Sequence, residues 1–514
     1  MNLSQYSQIF EKLQEIGQGR FAERLSRCWH SLNHTQREKL SAQILQLKGD
    51  LLLAQQKMIH ENLSFGLSSS KSEKFIPQIL GLNGQRPFTS QKSTRDASKL
   101  PEFEGEKPKT QVEEEGGEIE SQILPFQETH FSGNSQDFEA GKELAASGKC
   151  ACVVLAGGQG SRLRTTLPKG CLPVSVCKNK SLFELIADKM RAASTCVGHP
   201  LSLAMMTSPL NHQETRDFFI KNNFFGLHPD QITFFPQKTW PFLDLEGNLF
   251  LESTDQIASG PNGNGGVFQR LREIGLLEKW RRQGIETIHI VPVDNPLALP
   301  FDFELFGFHH RMGSQVSIKT AKRKNSHEKV GLLAQLNGKP AVIEYMELSL
   351  QQKEAKNPQG EYIFNNANLG LFCFSLSFLE EIQNASLPIH KAKKSLKKMD
   401  EEGKIHFPQE PNGWKFEEFI FDILPFAKKC HALIAPREEC FAPLKNLHGE
   451  DSIEEVQAAL LAWDRKKMHQ ISGVEPSSGP FELSSAFYYP TQELLQKWQG
   501  RALPSNISYI NEEM

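Results

Sequence analysis

The stretch ACVVLAGGQGSRLRTTLPKG, residues 151–170, decides the fold of this chain. Its first part is a short apolar run, typical of a buried strand, and it passes directly into a loop with three glycines. Because glycine has no Cβ, such a loop lets backbone N–H groups approach a phosphate chain closely. Arg162 and Lys169 follow, the first suited to bidentate phosphate contacts and the second to act as a point charge. The stretch predicts a strand and a loop that binds a triphosphate.

Two well-known glycine-rich loops do not fit this stretch. The dinucleotide fingerprint G-x-G-x-x-G requires a glycine where Leu163 stands. The ATPase pattern that ends in Gly-Lys-Ser or Gly-Lys-Thr is also missing from the loop. An ordinary tight turn with surface Arg and Lys remains the alternative for this string.

Outward from this stretch, apolar strands alternate with helical segments. The predicted strands are 151–156, 203–207, 232–235 and 288–293, and the predicted helices begin at Leu182, near 211 and after Gly266. Alternation of this kind is typical of an α/β fold, in which helices cover a mostly parallel sheet. Such a sheet binds ligands at the carboxyl ends of its strands.

Two hairpins are predicted as antiparallel additions near a site. The first covers 243–250 and turns at Glu246-Gly-Asn, and the second covers 332–343 and turns at Asn337-Gly. In the N-terminal part, Thr35 and Glu38 predict a capping box ahead of a helix. The predicted regions are 1–64 (helical N-terminal region), 65–135 (polar, flexible linker), 136–435 (the alternating, catalytic domain) and 436–514 (small C-terminal domain).

Composition excludes several classes of function. The net charge of −3 argues against nonspecific binding of nucleic acid. No apolar run approaches the ~20 residues that would cross a membrane. The N-terminus lacks the basic and apolar regions of a signal peptide. Nine cysteines without zinc-ligand spacing favour a reducing cytosol, so a cytoplasmic location is predicted.

Two more motifs carry chemistry. The glycines of GPNGNGG, residues 260–266, make a compact backbone surface for a flat base or ribose, although a plain loop is equally compatible. Asp294 comes directly after an apolar strand, where a carboxylate can hold a metal ion or a sugar hydroxyl. A helix cap is the alternative reading of Asp294.

The run LAGGQGSRLR…PKG, followed by SLFELIADKM, strongly resembles the eukaryote-type UDP-sugar pyrophosphorylases, and most closely their UDP-N-acetylglucosamine pyrophosphorylase branch. Order and spacing hold over roughly 150–450. Further matching motifs are FFPQ (234–237), PNGNGG (261–266), VDN (293–295), IEY (343–345), FNNAN (364–368), PNG (411–413) and PLKN (443–446).

The resemblance implies a Rossmann-like, glycosyltransferase-A-like nucleotidyltransferase fold: a mixed, mostly parallel sheet flanked by helices, with helical N-terminal material and a small C-terminal domain. It also implies a role for each matching position. The nucleotide would be lined by Gly157, Gly158 and Gly160, and its uracil and ribose would be read by Gln237, Gly263 and Asn264. The phosphates would be contacted by Arg162, Lys169 and Lys445. The sugar would be held by Asp294, Gly331, Glu344 and Asn368, with Asp294 also close to magnesium.

The implied reaction transfers a uridylyl group from UTP to a sugar-1-phosphate, with Mg²⁺ as cofactor. N-acetylglucosamine-1-phosphate is the favoured substrate, and glucose-1-phosphate or a relaxed choice of sugar is the alternative. A nucleotide-sugar sensor without turnover is an alternative of another class. At single positions, Glu344 could pair across a hairpin, Asn368 could be a turn residue and Lys445 a surface lysine. The sequence is silent on oligomeric state.

Some positions depart from the family pattern. Arg164 and Ala367 replace glycines, Asn262 replaces an aspartate and Pro236 replaces a glutamine. Arg164 is expected to add a phosphate contact or to crowd the loop. Ala367 lies next to the proposed sugar site and is expected to bear on the choice of sugar. The basic stretch 390–398 is predicted to be a solvated helix face, with a wall of the site as the alternative.

Overall fold

The computed structural model describes residues 3–61, 122–158, 160–476, 479–503 and 508–514. Most of the predicted linker at 65–135 therefore lies outside the described residues. None of the described helices combines the length and the apolar character that a membrane crossing requires. All nine cysteines are described, and all are free thiols.

A mixed sheet forms the centre of the molecule. The α-helices are α1 (Leu3–Glu15), α2 (Gly19–Trp29), α3 (His34–Gln46), α4 (Gly49–His60), α5 (Ser135–Ala146), α6 (Leu182–Val197), α7 (His212–Lys221), α8 (Val267–Glu273), α9 (Leu276–Arg282), α10 (Phe303–Arg311), α11 (Leu350–Glu354), α12 (Leu376–Glu381), α13 (Arg437–Cys440), α14 (Ile453–Ser472) and α15 (Gln492–Trp498). The strands are β1 (Ile123–Pro125), β2 (Thr129–Phe131), β3 (Cys150–Leu155), β4 (Ser202–Thr207), β5 (Ile232–Pro236), β6 (Thr239–Pro241), β7 (Leu243–Asp244), β8 (Leu251–Ser253), β9 (Gln256–Ile257), β10 (Ser259–Pro261), β11 (Thr287–Pro292), β12 (Val316–Lys322), β13 (Leu332–Leu336), β14 (Lys339–Ile343), β15 (Asn366–Ser375), β16 (His390–Lys394), β17 (Lys398–Met399), β18 (Ile405–His406), β19 (Gly413–Glu417), β20 (Cys430–Ile434), β21 (Glu482–Leu483) and β22 (Tyr509–Ile510).

The main sheet runs in the order β2-β20-β12-β15-β11-β3-β4-β5. Strand β15 is antiparallel to both of its neighbours, whereas the other neighbours along this path are parallel. The predicted α/β class with a mixed, mostly parallel sheet is therefore confirmed. The parallel strands β3, β4, β5 and β11 all end at one edge, and the loops at that edge carry the glycine-rich stretch and Asp294.

Strand β3 is buried on both faces, which explains its continuous apolar sequence. Cys152 and Val154 face a core layer that includes residues of α5, α6 and α10. Ala151 and Val153 face a second layer with residues of α8, α9 and α12. Alternate residues of one strand thus pack into two helical layers, as period-two side-chain geometry requires.

Several predicted element boundaries are confirmed. Helix α6 begins at Leu182, and the Ser181 hydroxyl accepts a hydrogen bond from the Glu184 amide at 3.1 Å. Strands β13 and β14 form the predicted hairpin. Asn337 and Gly338 both have positive φ (50° and 76°), which is the geometry of a type I′ turn.

The predicted capping box at Thr35 and Glu38 is wrong. Helix α3 begins at His34, so Thr35 already lies inside it. Asn33 is the N-cap, because its extended backbone lets its side chain accept from the Gln36 amide at 3.0 Å. The Gln36 side chain returns a hydrogen bond to the Asn33 amide, so a complete capping box forms two residues earlier than predicted.

The hairpin predicted over 243–250 forms as a closed turn, and the strand ladder of its first arm is made with another segment. A tight turn does form, and the Gly247 amide donates to the Asp244 carbonyl at 3.1 Å. The Asp244 amide of β7 also donates to the Asn248 carbonyl of the return arm at 2.8 Å, while the ladder of β7 is with β19. Leu243 and Leu249, one from each arm, are both buried in a cluster with the N-terminal helices.

The basic stretch 390–398 is not a helix, which corrects the prediction. Residues 390–394 form strand β16, which pairs with β19. Lys391 and Lys393 both lie over the Trp414 ring, with Nζ 4.9 and 5.1 Å from its centre. Residues two apart reach the same neighbour because side chains repeat with period two in a strand.

The boundaries predicted for the four regions stay a prediction, but the packing of the outer regions is clear. Helices α1 to α4 bury apolar side chains against the segment 243–257 and against Phe416 of β19. In the C-terminal part, α14 and α15 share a cluster with β21 and β22. The N-terminal helices are therefore attached directly to the segment that follows β6.

Two buried histidines make the stability of this fold sensitive to acid. The ring nitrogens of His309 contact the hydroxyls of Ser317 and Ser375 at 3.0 and 2.9 Å. Burial lowers the pKa of His309 from 6.5 to about 3. Burial likewise lowers the pKa of His289 to about 4. Below about pH 6.5 these two histidines therefore bind protons in the unfolded chain but stay neutral in the folded protein.

We expect the free energy of unfolding to fall as the pH drops from about 7.5 to 5, with His309 contributing about 2 kcal/mol of that loss. The variant His309→Gln should be less stable at neutral pH but should lose less on acidification. Denaturant titrations at the two pH values measure the difference. The exposed His228 provides the control, since His228→Gln should follow the wild type. An unchanged pH dependence in His309→Gln would contradict the prediction.

Candidate active site

The glycine-rich loop after β3 is held in place by a buried asparagine. The Asn211 side chain donates to the carbonyls of Ala156 and Gly158 at 3.1 and 3.4 Å. Its own side-chain oxygen accepts from the Ser208 amide at 2.8 Å. The loop that follows β4 therefore supports the loop that follows β3, and Asn211 is a supporting residue that the sequence reasoning missed.

Lys169 and Asp294 meet at the carboxyl edge of the sheet. Lys169 Nζ lies 2.9 Å from Asp294 Oδ2 and also donates to the Leu444 carbonyl at 3.1 Å. The Leu444 amide donates back to the Asp294 carbonyl at 2.8 Å. Three segments that are far apart in sequence are therefore joined at one point, with the two charged side chains 15% and 22% exposed.

Lys445 follows at once in the third of these segments. Its Nζ lies 3.3 Å from Asp451 Oδ2, and its amide donates to the Asp451 carbonyl at 2.8 Å. Lys445 is thus more than an unpaired surface lysine. Its side chain is 37% exposed, which leaves the ammonium group accessible to an anion.

Arg162 and Arg164 stand on the exposed side of the glycine-rich loop. Arg162 has no hydrogen bond or ion pair with any described residue, so its guanidinium is available for a ligand. Arg164 has a φ of 50°, a left-handed conformation that favours glycine. This conformation explains why a glycine is usual there, and its cost is of order 1 kcal/mol.

Gln237 lies against the glycine-rich loop. A Cβ on Gly157 would come within 2.9 Å of Gln237 Nε2, so a side chain there would displace the end of the Gln237 side chain. The Gln237 amide donates to the Thr207 carbonyl at 2.8 Å, which fixes the residue just beyond β5. Gly158 is less crowded, with Lys169 Cε 3.8 Å from a Cβ built there.

The loop 260–266 packs against the chain segment after β19. A Cβ on Gly263, whose φ is +87°, would lie 2.2 Å from the Glu418 carbonyl oxygen. The Gly265 amide donates to that carbonyl at 2.9 Å. Asn264 Oδ1 accepts from the Ile420 amide at 3.0 Å. The predicted base-reading residues are therefore held by backbone contacts with 418–420.

Asn262 keeps the loop in position through its backbone. Its amide donates to the Lys238 carbonyl at 3.1 Å, and its carbonyl accepts from the Glu418 amide at 2.9 Å. The side chain is buried, and its Oδ1 has no hydrogen-bond partner among the described residues. The family pattern has an aspartate at this position, and the neutral side chain of Asn262 avoids burying its charge.

Gly331, Glu344 and Asn368 come together at a second corner, where the hairpin β13–β14 meets β15. The Asn368 amide donates to the Gly331 carbonyl at 2.8 Å. A Cβ on Gly331 would lie 3.5 Å from Glu344 Oε1. Glu344 follows the last residue of β14, so it does not pair across the hairpin.

Ala367 pairs with Leu332 at this corner through its backbone, but its side chain turns away from the corner, so a bearing on the choice of sugar stays a prediction. It is fully buried in the core cluster with Leu332 and Phe364. Because side chains alternate along β15, Ala367 points to the opposite face from Asn366 and Asn368. Its methyl group fills core space and does not face the residues predicted to hold the sugar.

Three further ionisable residues lie near these loops. His390 belongs to the basic stretch 390–398, for which a wall of the site was the alternative interpretation, whereas roles for Glu418 and Asp422 were not predicted. His390 Nε2 lies 2.8 Å from Asp422 Oδ2. Burial, together with the nearby charge of Asp422, raises the pKa of Glu418 to about 7. The pairing of β16 with β19 brings His390 beside the segment that carries Glu418 and Asp422.

The site offers few ligands of its own for a metal. Among the described residues, no three His, Cys, Asp or Glu side chains are grouped so that they could hold an ion. Asp294 Oδ2 is engaged by Lys169, which leaves Oδ1 as the carboxylate donor. Such a donor set fits Mg²⁺, which is commonly bound by one or two carboxylates with substrate phosphates and water.

The fold and these loops define a nucleotidyltransferase. A family model described as UTP–glucose-1-phosphate uridylyltransferase matches residues 107–469. The chain belongs to this family, and it is an enzyme of the uridylyltransferase class.

Known proteins extend the comparison. The chain is 35% identical over 366 residues to a probable UDP-N-acetylglucosamine pyrophosphorylase of Dictyostelium discoideum, covering 68% of this chain and 74% of the relative. It is 33% identical over 394 residues to the UDP-N-acetylglucosamine pyrophosphorylase of Saccharomyces cerevisiae, covering 73% and 83%.

Among solved structures, a UDP-N-acetylglucosamine pyrophosphorylase assigned in Entamoeba histolytica superimposes with a TM-score of 0.70 at 28% identity, covering 76% of this chain and 100% of that one. The uridine diphosphate N-acetylglucosamine pyrophosphorylase of Trypanosoma brucei shares the fold with a TM-score of 0.73 at 22% identity, covering 99% and 98%.

The contact between Gly263 and Glu418 can be tested with a matched glycine. Gly284 has nearly the same φ, +83°, but a Cβ there meets nothing within 4 Å. We expect Gly263→Ala to raise the KM for UTP at least about tenfold, since the loop must move away from Glu418. Gly284→Ala carries the same backbone strain and should keep the wild-type KM. Equal UTP constants in the two variants would contradict this assignment.

Proposed function

We propose that this protein makes a UDP-sugar and pyrophosphate from UTP and a sugar-1-phosphate, with N-acetylglucosamine-1-phosphate as the preferred acceptor. The observation that carries the proposal is the ion pair between Lys169 and Asp294. It lies where the glycine-rich loop meets the end of β11, and it is bound to the segment that carries Lys445. This arrangement suits a reaction between two phosphate-bearing substrates.

The reaction is a direct in-line displacement. An oxygen of the sugar-1-phosphate attacks the α-phosphorus of UTP, the bond from that phosphorus to the bridging oxygen breaks, and pyrophosphate leaves. Phosphoryl-type transfers need mainly positioning and neutralisation of charge. Arg162 would hold the nucleotide phosphates, Lys169 the α-phosphate and Lys445 the sugar phosphate.

Magnesium would neutralise further phosphate charge when it is bound. Asp294 would hold it, because its Oδ1 is the carboxylate oxygen that Lys169 does not engage. The exchange of Lys169 between Asp294 and the α-phosphate would then be part of substrate binding. The Leu444 carbonyl keeps the ammonium group in place during this exchange.

The proposed sugar rests on the corner formed by Gly331, Glu344 and Asn368. Glu344 would accept hydrogen bonds from sugar hydroxyls. The names of the most similar relatives favour an N-acetylated sugar. Glucose-1-phosphate is the second candidate, favoured by the description of the matching family.

Release of pyrophosphate from UTP tests the function directly. It is measured with magnesium and with N-acetylglucosamine-1-phosphate, N-acetylgalactosamine-1-phosphate, glucose-1-phosphate or galactose-1-phosphate. We expect release with N-acetylglucosamine-1-phosphate to be the fastest. Faster release with glucose-1-phosphate would overturn the sugar assignment, and no release with any sugar would favour a nucleotide-sugar sensor.

Lys169 can be compared with a surface lysine in a similar ion pair. Lys149 Nζ lies 2.9 Å from Glu286 Oε1, the same distance as in the Lys169 pair, but both partners are at least 40% exposed. We expect Lys169→Ala to lower kcat by about 100-fold or more, because it removes charge neutralisation in the transition state. Lys149→Ala should keep nearly full activity. Near-normal turnover in Lys169→Ala would remove this lysine from the mechanism.

A further inference from the structure

Leu444 fixes one point of the segment 440–446, which carries Lys445 across the carboxyl edge of the sheet. Leu444 is fully buried. Its amide donates to the Asp294 carbonyl at 2.8 Å, and its carbonyl accepts from Lys169 Nζ at 3.1 Å. Because each residue keeps two soft backbone dihedrals, one fixed residue does not by itself set where the next side chain stands. The position of Lys445 therefore depends on what holds the segment on either side of Leu444.

Asn295 holds the segment before Leu444. Its side-chain nitrogen donates to the Cys440 carbonyl at 2.7 Å, and its side-chain oxygen accepts from the Ala442 amide at 3.0 Å. An amide side chain offers a donor and an acceptor on separate atoms, whereas a carboxylate only accepts and an apolar side chain does neither. Asn295 is 2% exposed, so the two bonds are shielded from water. Its side chain thus matches the two backbone groups that it meets.

Asp451 holds the segment after Leu444. Its carbonyl accepts from the amides of Lys445 and Asn446 at 2.8 and 3.1 Å, and its Oδ2 lies 3.3 Å from Lys445 Nζ. Asp451 has a φ of 59°, a left-handed conformation that is uncommon for a residue other than glycine. Lys445 therefore lies between two points of attachment, Asn295 before it and Asp451 after it.

The attachment at Asn295 belongs to the same turn as Asp294. Asn295 directly follows Asp294, and the Ala298 amide donates to the Asn295 carbonyl at 3.1 Å. Lys189 of α6 secures this turn from behind, since its Nζ donates to the Ala298 carbonyl at 3.2 Å. Lys445 is thus positioned from the same turn that carries the proposed magnesium ligand.

We propose that Asn295 is a positioning residue for the reaction: by holding the backbone of 440–442, it sets the distance between Lys445 and the Lys169–Asp294 pair. The inference rests on the proposed function, because it takes Lys445 as the residue that binds the sugar phosphate. An in-line displacement requires both phosphates close to their reacting geometry, and a misplacement of about 1 Å can cost about 100-fold in rate. Asn295 touches neither substrate and acts through Lys445.

The variant Asn295→Ala removes both side-chain hydrogen bonds to the segment. Pyrophosphate release is measured with UTP, magnesium and the sugar phosphate that reacts fastest with the wild type. We expect kcat/KM for the sugar phosphate to fall about tenfold, because Lys445 is no longer held where the sugar phosphate binds. The KM for UTP should stay within about twofold, since the glycine-rich loop is held by Asn211 and not by Asn295.

A double-mutant cycle with Lys445→Ala shows whether Asn295 acts through Lys445. If it does, Asn295→Ala should change kcat/KM by less than about twofold when Lys445 is already absent, although it costs about tenfold when Lys445 is present. A role in overall stability, or one exerted through Asp294, would give the same loss in both backgrounds. That result would overturn the proposal, and so would an unchanged kcat/KM in the single variant Asn295→Ala.

Asn412, which precedes β19, provides a matched control. Its side chain donates to the Leu396 carbonyl at 3.0 Å and accepts from the Leu396 amide at 2.6 Å, so it also makes one contact of each kind with the backbone. Asn412→Ala should keep the wild-type constants for both substrates. If Asn295→Ala does not fold, Asn295→Gln replaces it, because glutamine keeps both hydrogen-bonding groups but moves them by one methylene. Its loss in kcat/KM should likewise disappear in the Lys445→Ala background.

Hydrogen exchange separates a failure of this proposal from a failure of the proposed function. We expect the backbone amides within 440–446 to exchange at least about tenfold faster in Asn295→Ala than in the wild type, and at the wild-type rate in Asn412→Ala. Unchanged exchange in Asn295→Ala would overturn the proposal, whether or not the protein is active. Failure of the wild type to release pyrophosphate with any sugar phosphate would instead overturn the proposed function.

Discussion

The contact that the rest of the site depends on is the one between Lys169 and Asp294. It joins the loop after β3 to the end of β11, and the Leu444 carbonyl adds the C-terminal segment. Next to it, the buried Asn295 side chain donates to the Cys440 carbonyl at 2.7 Å and accepts from the Ala442 amide at 3.0 Å. Buried polar groups must be satisfied, so these bonds leave one position for the segment that carries Lys445.

Behind this contact, a buried lysine secures the same loop. Lys189 of α6 donates to the carbonyls of Pro296 and Ala298, and its Nζ lies 4.3 Å from the centre of the Tyr488 ring. Burial lowers its pKa to about 7. The C-terminal part is thus connected to the catalytic edge by hydrogen bonds, by a cation–π contact and by apolar packing. A second constraint operates at the loop 260–266, where the Glu418 backbone approaches Gly263 too closely for any side chain.

Much of the central fold was predictable, because its signals are local. The apolar run of β3 and the Ser181 cap of α6 were correctly placed, and Asn337-Gly338 specified its turn by backbone preference alone. The errors arose where long-range packing overrides local preference. Strand β7 forms its ladder with the distant β19, and β16 is a strand, not a helix, whose Lys391 and Lys393 lie over Trp414. Asn33, and not Thr35, caps helix α3, and the spacing of the residues in the sequence does not tell which of the two is the cap.

The sequence by itself determined the class of the enzyme, because a strand, a glycine-rich loop and basic residues in one order specify both a backbone and its chemistry. It also identified Lys169, Asp294, Glu344 and Lys445 as separate candidates. Only the tertiary structure decided which of them meet, that Ala367 faces the core, and that His390 lies beside Asp422. The reason is physical: face, distance and desolvation depend on strand pairing between residues far apart in the chain, and no local pattern of residues records that pairing.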